Sequence, residues 1–314
     1  MKSILITTST FSLYNEKPLR ILQESGFRLI FNPYQRKLTE NEVLDLVQKV
    51  QPEGIIAGVE PLTRKVLESA KYLKVVSRCG VGLDSVDLAA ADDLSIRVLN
   101  TPDASSLSVA ELTLGLIFAV LRKIPMADSG IRRGKWLRPM GRVIAGKVVG
   151  IIGCGRIGCL VGRMLSLLEC CVIGFDPYQS APEHIERHSL GEVLRQADIV
   201  SLHLPFNRET QGMFDREKIF MMKDGSCLIN TSRGGLVDEK VLFEALQSGK
   251  LAGAALDCFV SEPYDGRLRE LDNVVLTSHI GSYAIEGRIQ MEIQATENLL
   301  RELKKDRKTS WRGR

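Results

Sequence analysis

The stretch GIIGCGRIGCLVGRMLSLLECCVIGFDP, Gly150 to Pro177, carries a glycine pattern, an apolar run and one acid in that order. Gly153, Gly155 and Gly158 form G-x-G-x-x-G. The strand-like run VVGII ends directly at Gly153, and a helical pattern opens inside the motif with Arg156 and Ile157. In that setting the first glycine permits a tight turn. The second lets backbone amides approach a pyrophosphate, and the third lets helix pack on strand. The start of the helix then aims unpaired N–H groups and a positive dipole end at the phosphates. A second strand-like run, CVIGFD, ends at Asp176, eighteen positions after Gly158. That is close to the spacing of about 20 residues at which an acid meets the ribose 2′-hydroxyl. Such an acid repels a 2′-phosphate, so the stretch points to NAD rather than NADP. A plain strand-to-helix turn with a surface Asp is the bland alternative. The strand before the motif and the strand ending in Asp176 weigh against it.

Working outward, the first hundred residues alternate apolar runs (SILITT, FRLIFNP, GIIAG, LKVVSR, RVLNTP) with amphipathic ones (KPLRILQESG, TENEVLDLVQKV, TRKVLESA, VDLAAADDL). Thr39 followed by Glu42 has capping-box spacing. Apolar strands in turn with helices mean a parallel sheet covered on both faces. The rhythm breaks at one long apolar helix, about Ser105 to Lys123, with Glu111 near its start. A second alternating series then begins at KVVGIIG, and a final amphipathic helix runs from about Tyr283 to Lys304. The fold class expected is α/β, with two flavodoxin- or Rossmann-like doubly wound parallel-sheet domains. Residues 1–99 with 284–314 form one and 100–283 the other, with a cleft between them as the expected ligand site.

The chain has 314 residues, 44% hydrophobic and 25% charged, the balance of an ordinary globular protein. A net charge of +4, much of it in the tail KKDRKTSWRGR, is too small to imply nucleic acid or an anionic membrane. Seven cysteines without paired spacing or a secretory signal point to free thiols and a cytoplasmic location. No metal-ligand spacing occurs, so no metal is expected. MKSILITTSTF reads as a first strand, and the apolar run Leu112–Leu121 is too short to span a bilayer.

Three ionisable residues fall where strands of the second series end. Arg233 follows CLINTS, Glu262 follows ALDCFVS, and His279 follows VVLTS. In open parallel sheets ligands bind at the carboxyl ends of strands. Each residue suits hydride transfer to a 2-oxo acid. His279 supplies the proton as the carbonyl becomes an alcohol. Glu262 holds and tunes the imidazole. Arg233 forks onto the substrate carboxylate and leans toward the carbonyl oxygen. Taken singly, an Arg before Gly-Gly, a Glu-Pro turn and one His among four are ordinary structural features. Together, beside a dinucleotide turn, they make a catalytic set.

These residues lie in a longer series: RCGVGLDSVDL from Arg78, NTPDASSLSVAEL from Asn100, HLP at His203, NTSRGGLVDE from Asn230, GAALDCFVSEP from Gly253 and SHIGSYA from Ser278. The chain resembles the D-isomer-specific 2-hydroxyacid dehydrogenase family over most of its length, most of all the short-form D-3-phosphoglycerate dehydrogenases. The resemblance implies an NAD-dependent enzyme interconverting a D-2-hydroxy acid and a 2-oxo acid. A hydroxypyruvate or glyoxylate reductase of the same family, or an NAD-sensing corepressor-like binding protein, is the alternative. It implies that NAD is bound by the glycine motif, Asp176, His203, Pro205, Thr210, Thr231, Ser232, Asp257, His279 and Gly281, with Asp257 facing the nicotinamide carboxamide. Substrate would meet Arg78, Val81, Gly82, Asn100 and Arg233, the amides of Val81 and Gly82 forming an anion nest. A homodimer through the NAD domain, around the helix from Ser105, is also implied.

Ser85 and Ser108 stand where the family has Asn and Thr. A larger departure is GIIAGVEPLT, Gly54 to Thr63. Phosphoglycerate enzymes often place an Arg just after this strand to meet the substrate phosphate. Gly58, Val59 and Glu60 stand there instead, leaving Arg78, Arg64 or Lys65 to supply the cation. The sequence closes after the last helix, so serine-sensing C-terminal extensions and their feedback control are not expected.

Overall fold

The computed structural model describes residues 2–179 and 182–311. The chain divides into two compact units, one running to Ser105 and resuming at Tyr283, the other Ser106–Ser282. The expected divisions lay at 99/100 and 283/284; the whole of the apolar helix from Ser106 goes with the second unit.

Unit 1 alternates β1 (Ser3–Ile6), α1 (Lys17–Gln23), β2 (Arg28–Phe31), α2 (Glu40–Val50), β3 (Gly54–Ala57), α3 (Arg64–Glu68), β4 (Val75–Arg78), α4 (Leu88–Asp93) and β5 (Arg97–Leu99). Its five strands are parallel, in the order β2-β1-β3-β4-β5. Successive strand side chains go to opposite faces, and each face is roofed. Leu5, Ile55 and Val76 pack with Val43, Val47 and Val66 of α2 and α3. Ile4, Ile6, Ile56 and Val75 pack with Leu22 of α1 and Leu299, Leu300 and Leu303 of α11 (Ile285–Trp311). The Thr39–Glu42 capping box forms. Gly54 admits α11: a Cβ there would lie 2.9 Å from Leu299 Cδ1.

Unit 2 opens with α5 (Ser106–Leu121) and α6 (Ile124–Arg132). The single helix expected through Lys123 thus stops two residues early. Lys123 takes a left-handed backbone, φ 53°, and Pro125 starts the next helix; proline has no N–H to continue the ladder from α5. Then come β6 (Val148–Ile152), α7 (Arg156–Leu167), β7 (Cys171–Phe175), β8 (Glu186–Arg187), α8 (Leu190–Gln196), β9 (Ile199–Leu202), α9 (Arg216–Met221), β10 (Ser226–Asn230), α10 (Glu239–Gln247), β11 (Leu251–Leu256) and β12 (Val274–Leu276). All seven strands are parallel, in the order β12-β11-β10-β9-β6-β7-β8. From β6 the chain runs outward through β7 and β8, then returns to β9 on the other side. The end of β6 is therefore the topological switch point, where open α/β sheets bind ligands. One face packs Ile151, Ile229 and Ala255 on α5 and α7; the other packs Ile152, Leu228 and Leu256 on α8 and α10.

All seven cysteines are free. Among the described residues no helix is long and apolar enough to cross a membrane.

Candidate functional site

The glycine motif sits at the switch point of unit 2. Gly153 turns the chain out of β6 with φ 97°, and its N–H donates to the Phe175 carbonyl at the end of β7 (2.8 Å). A Cβ at Gly153 would fall 2.4 Å from the His203 carbonyl oxygen, and one at Gly158 would fall 2.0 Å from the Gly153 carbonyl oxygen. Both glycines are thus fixed by backbone packing. Gly155 differs: a Cβ there would meet no atom within 4 Å. It begins α7 with no side-chain cap and no acid in the first turn. The helix end presents N–H groups toward open space, which suits a phosphate.

Asp176, at the end of β7, is buried against this turn. Its Oδ2 accepts from the Cys154 N–H (2.8 Å) and its Oδ1 from the N–H groups of Tyr178 (2.8 Å) and Gln179 (2.9 Å). The acid and the glycine turn, joined in the sequence by their spacing, are hydrogen-bonded neighbours. The residues present therefore fit a dinucleotide: an open helix end beside a carboxylate at fixed distance.

His203 follows β9. Its Nε2 bonds the Ser201 hydroxyl (2.9 Å), and burial pushes the ring down to about 3, so it is neutral at neutral pH. Its Nδ1 is buried without a protein partner among the described residues. Pro205 and Thr210 close the same loop on themselves, the Thr210 hydroxyl donating to the Pro205 carbonyl (2.7 Å).

The ends of β10, β11 and β12 carry the other group. Buried Asn230 donates to the Arg233 carbonyl (2.9 Å) and accepts from the Ser232 N–H (3.1 Å), which shapes the turn that lifts Arg233 off the sheet. The Ser232 hydroxyl is tied to the Leu202 carbonyl (2.7 Å), and the Thr231 hydroxyl meets that of Thr113 on α5 (2.9 Å). A Cβ at Gly234 would overlap the Phe259 carbonyl carbon at 1.9 Å. The loops after β10 and β11 therefore touch backbone to backbone.

His279 and Glu262 meet. His279 Nδ1 stands 2.9 and 3.0 Å from the two carboxylate oxygens of Glu262. A carboxylate only accepts, so Nδ1 carries the proton and Nε2 is left for another partner. The Phe259 N–H also donates to Glu262 Oε1 (3.1 Å). Both side chains are about two-fifths exposed, accessible to a reactant.

Asp257, 1% exposed, does a job the sequence did not disclose. It accepts from the Thr277 hydroxyl (2.6 Å) and from the N–H groups of Ile280 and Gly281 (both 2.8 Å). It therefore anchors the loop on which His279 stands. These bonds leave at most about one of the four acceptor directions of a carboxylate for a carboxamide.

The substrate residues expected at Arg78, Val81, Gly82 and Asn100 lie in unit 1. Gly80 takes φ 141° and its N–H donates to Thr101 Oγ1 (2.8 Å), while Asn100 Nδ2 donates to the Val81 carbonyl (2.7 Å). Among the described residues, the amides of Val81 and Gly82 donate to no protein acceptor. These are the two amides expected to hold a ligand carboxylate. Arg78 folds back to donate to the Cys79 carbonyl. Arg64 pairs with Asp93 (2.8 Å) at the surface.

Three comparisons bear on this arrangement. Residues 114–281 match the family model described as D-isomer specific 2-hydroxyacid dehydrogenase, NAD binding domain. The chain is 39% identical over 298 residues to a D-3-phosphoglycerate dehydrogenase of Methanocaldococcus jannaschii, covering 92% of this chain and 55% of that protein. It is 35% identical over 293 residues to a hydroxypyruvate reductase of Thermotoga maritima, covering 90% and 96%. The crystal structure of a protein from Thermus thermophilus superposes with a TM-score of 0.86 at 36% identity, over 95% and 96% of the two chains. The chain spans about half the length of the first of these relatives. A glycine turn paired with an acid, a Glu–His pair at neighbouring strand ends and likeness over nine-tenths of the sequence point one way: the chain belongs to the D-isomer-specific 2-hydroxyacid dehydrogenase family.

Proposed function

We propose that the protein is an NAD-dependent dehydrogenase that interconverts a D-2-hydroxy acid and its 2-oxo acid. The observation that carries this reading is the Glu262–His279 pair, with Nδ1 held by the carboxylate and Nε2 available. NADH, when bound at the glycine turn, supplies the hydride. The residues of the chain do the rest. His279 Nε2 gives a proton to the carbonyl oxygen as it becomes a hydroxyl, and takes it back in the oxidative direction. Glu262 keeps the imidazole in place through Nδ1. Arg233 forks onto the substrate carboxylate and stabilises charge developing on the carbonyl oxygen. The corepressor-like alternative has no use for a hydrogen-bonded Glu–His pair.

The test is NADH oxidation with hydroxypyruvate, glyoxylate and pyruvate. Turnover of at least one, lost in His279→Ala with NADH binding intact, is the expected result. NADH binding without turnover of any of them would favour the sensor.

A homodimer formed through unit 2 is part of the proposal. Ile124, Ile131, Trp136, Leu137, Met140 and Val143 are all exposed, a run of apolar surface that solitary soluble proteins rarely leave uncovered. Sedimentation should show two chains per particle. The free thiols agree with a cytoplasmic setting.

A further inference from the structure

Within unit 2 the loops after β7 and β9 are joined side chain to side chain. Tyr178 Oη donates to Glu209 Oε2 at 2.6 Å, between residues 31 positions apart in the chain. In the sheet order β9-β6-β7 these loops leave the two strands that flank β6. Neighbouring strands lie about 4.8 Å apart, so the bond reaches across two spacings, about 10 Å, over the strand that leads into Gly153. Both ends are mounted. The Tyr178 N–H donates to Asp176 Oδ1 (2.8 Å). Asn207 Oδ1 accepts from the N–H groups of Glu209 (2.9 Å) and Thr210 (3.0 Å), and the Thr210 hydroxyl closes that loop onto the Pro205 carbonyl (2.7 Å). Nearer the sheet, each strand end already meets the glycine turn. The Cys154 N–H donates to Asp176 Oδ2 (2.8 Å), and a Cβ at Gly153 would fall 2.4 Å from the His203 carbonyl oxygen. The glycine turn, the two loops and the Tyr178–Glu209 bond thus complete a ring.

Packing does not account for this bond. Tyr178 is 79% exposed, and Glu209 is exposed as well. A bond between two exposed side chains has to offset the rotamer freedom that both give up. The hydrogen bond to Glu209 also raises the Tyr178 phenol above its ordinary value. The proton therefore stays on the tyrosine at neutral pH, and the carboxylate accepts.

The shape of a dinucleotide says what such a ring would enclose. With the pyrophosphate at the start of α7 and a ribose at Asp176, the adenine carried by that ribose lies on the β7 side of the turn. The nicotinamide half runs the other way, toward Glu262 and His279. We infer that the Tyr178–Glu209 bond is a clasp over the adenosine half of NAD, one that opens to admit the dinucleotide, closes across it and slows its departure. Tyr178 and Glu209 are positioning residues for the cofactor and take no part in hydride or proton transfer. The inference rests on the dehydrogenase reading only for the presence of NAD at the glycine turn, and not on which acid reacts.

The experiment is stopped-flow displacement of NADH by excess ADP-ribose, followed by nicotinamide fluorescence. It needs no turnover, so failure with every 2-oxo acid would leave it intact. Tyr178→Phe keeps the ring and removes only the hydroxyl. Its NADH dissociation rate should rise at least about threefold, with no fall in the association rate and no loss of melting temperature. Glu209→Ala should do the same. Glu209→Gln, whose amide oxygen still accepts from Tyr178, should stay close to the unaltered protein. The double variant Tyr178→Phe, Glu209→Ala should be no faster than the faster single one, because only one bond is there to lose. In the reverse displacement, ADP-ribose chased by NADH should leave faster by the same factor, since it carries the adenosine half. A smaller rise in both single variants would overturn the inference. So would rates that multiply in the double variant, a Glu209→Gln protein as fast as Glu209→Ala, or ADP-ribose leaving at an unchanged rate.

Discussion

His279 Nδ1 faces both oxygens of Glu262, at 2.9 and 3.0 Å. An imidazole held this way has one nitrogen committed and one on offer. Replacing His279 by Ala should therefore lower kcat by about a hundred- to ten-thousandfold, the usual contribution of a positioned acid–base group. NADH affinity, read by fluorescence titration, should stay within a few-fold. Glu262→Gln should cost less, since the amide oxygen can still accept from Nδ1. A near-normal rate in His279→Ala would remove the histidine from the chemistry.

Two glycines of one motif should fail in different ways. A methyl group at Gly158 would collide with the Gly153 carbonyl, whereas one at Gly155 meets nothing in the protein. Gly158→Ala should lower the melting temperature markedly, in the manner of an overpacked core, about 1–3 kcal/mol. Gly155→Ala should leave thermal stability nearly unchanged yet weaken NADH binding at least tenfold. If Gly155→Ala bound NADH normally, the open space at that position would not be the pyrophosphate's.

Asp176 should govern the choice between cofactors. Its oxygens already collect three backbone N–H groups, so its charge is fixed beside the turn. Asp176→Ser should raise the kcat/KM ratio of NADPH to NADH by at least tenfold, mostly by loss with NADH. Equal use of both cofactors by the unaltered protein would refute the argument.

His203 should make stability depend on acidity. Its folded value, about 3, lies below the ordinary 6.5. Between these values the unfolded chain binds the proton and the folded chain does not. Stability should thus fall as pH drops through 6.5 toward 3, by at most about 1.4 kcal/mol per pH unit from this group. Above 6.5 both states are neutral and the contribution is flat. Denaturant unfolding of His203→Gln between pH 4 and 8 should show a shallower acid slope than the parent.

Much of this was legible before any coordinates. The glycine turn is local, its spacing written into consecutive residues, so Gly153, Gly158 and Asp176 could be placed from the text alone. Glu262 and His279 could be paired because parallel strands bring their carboxyl ends to one edge. Other relationships had no local signature. Asp257 reaches Thr277, Ile280 and Gly281 across neighbouring strands, and its expected role at the carboxamide gave no hint of this. The turn of Gly58 onto Glu60 replaces side-chain chemistry with backbone chemistry, which residue types do not announce. The end of α5 was legible to within two residues, because Lys123 and Pro125 mark the break.

The loop bearing His279 gives that residue an unusual independence. Its backbone lies in the left-handed region, φ 57°, and the two residues that follow are pinned by their own N–H groups to a buried carboxylate. Nothing in that anchorage passes through the imidazole. The ring is a detachable part on a mount that stays in place without it. In the Ala variant the mount and Glu262 should persist around a space shaped for an imidazole, so imidazole added to the buffer should restore part of the lost turnover.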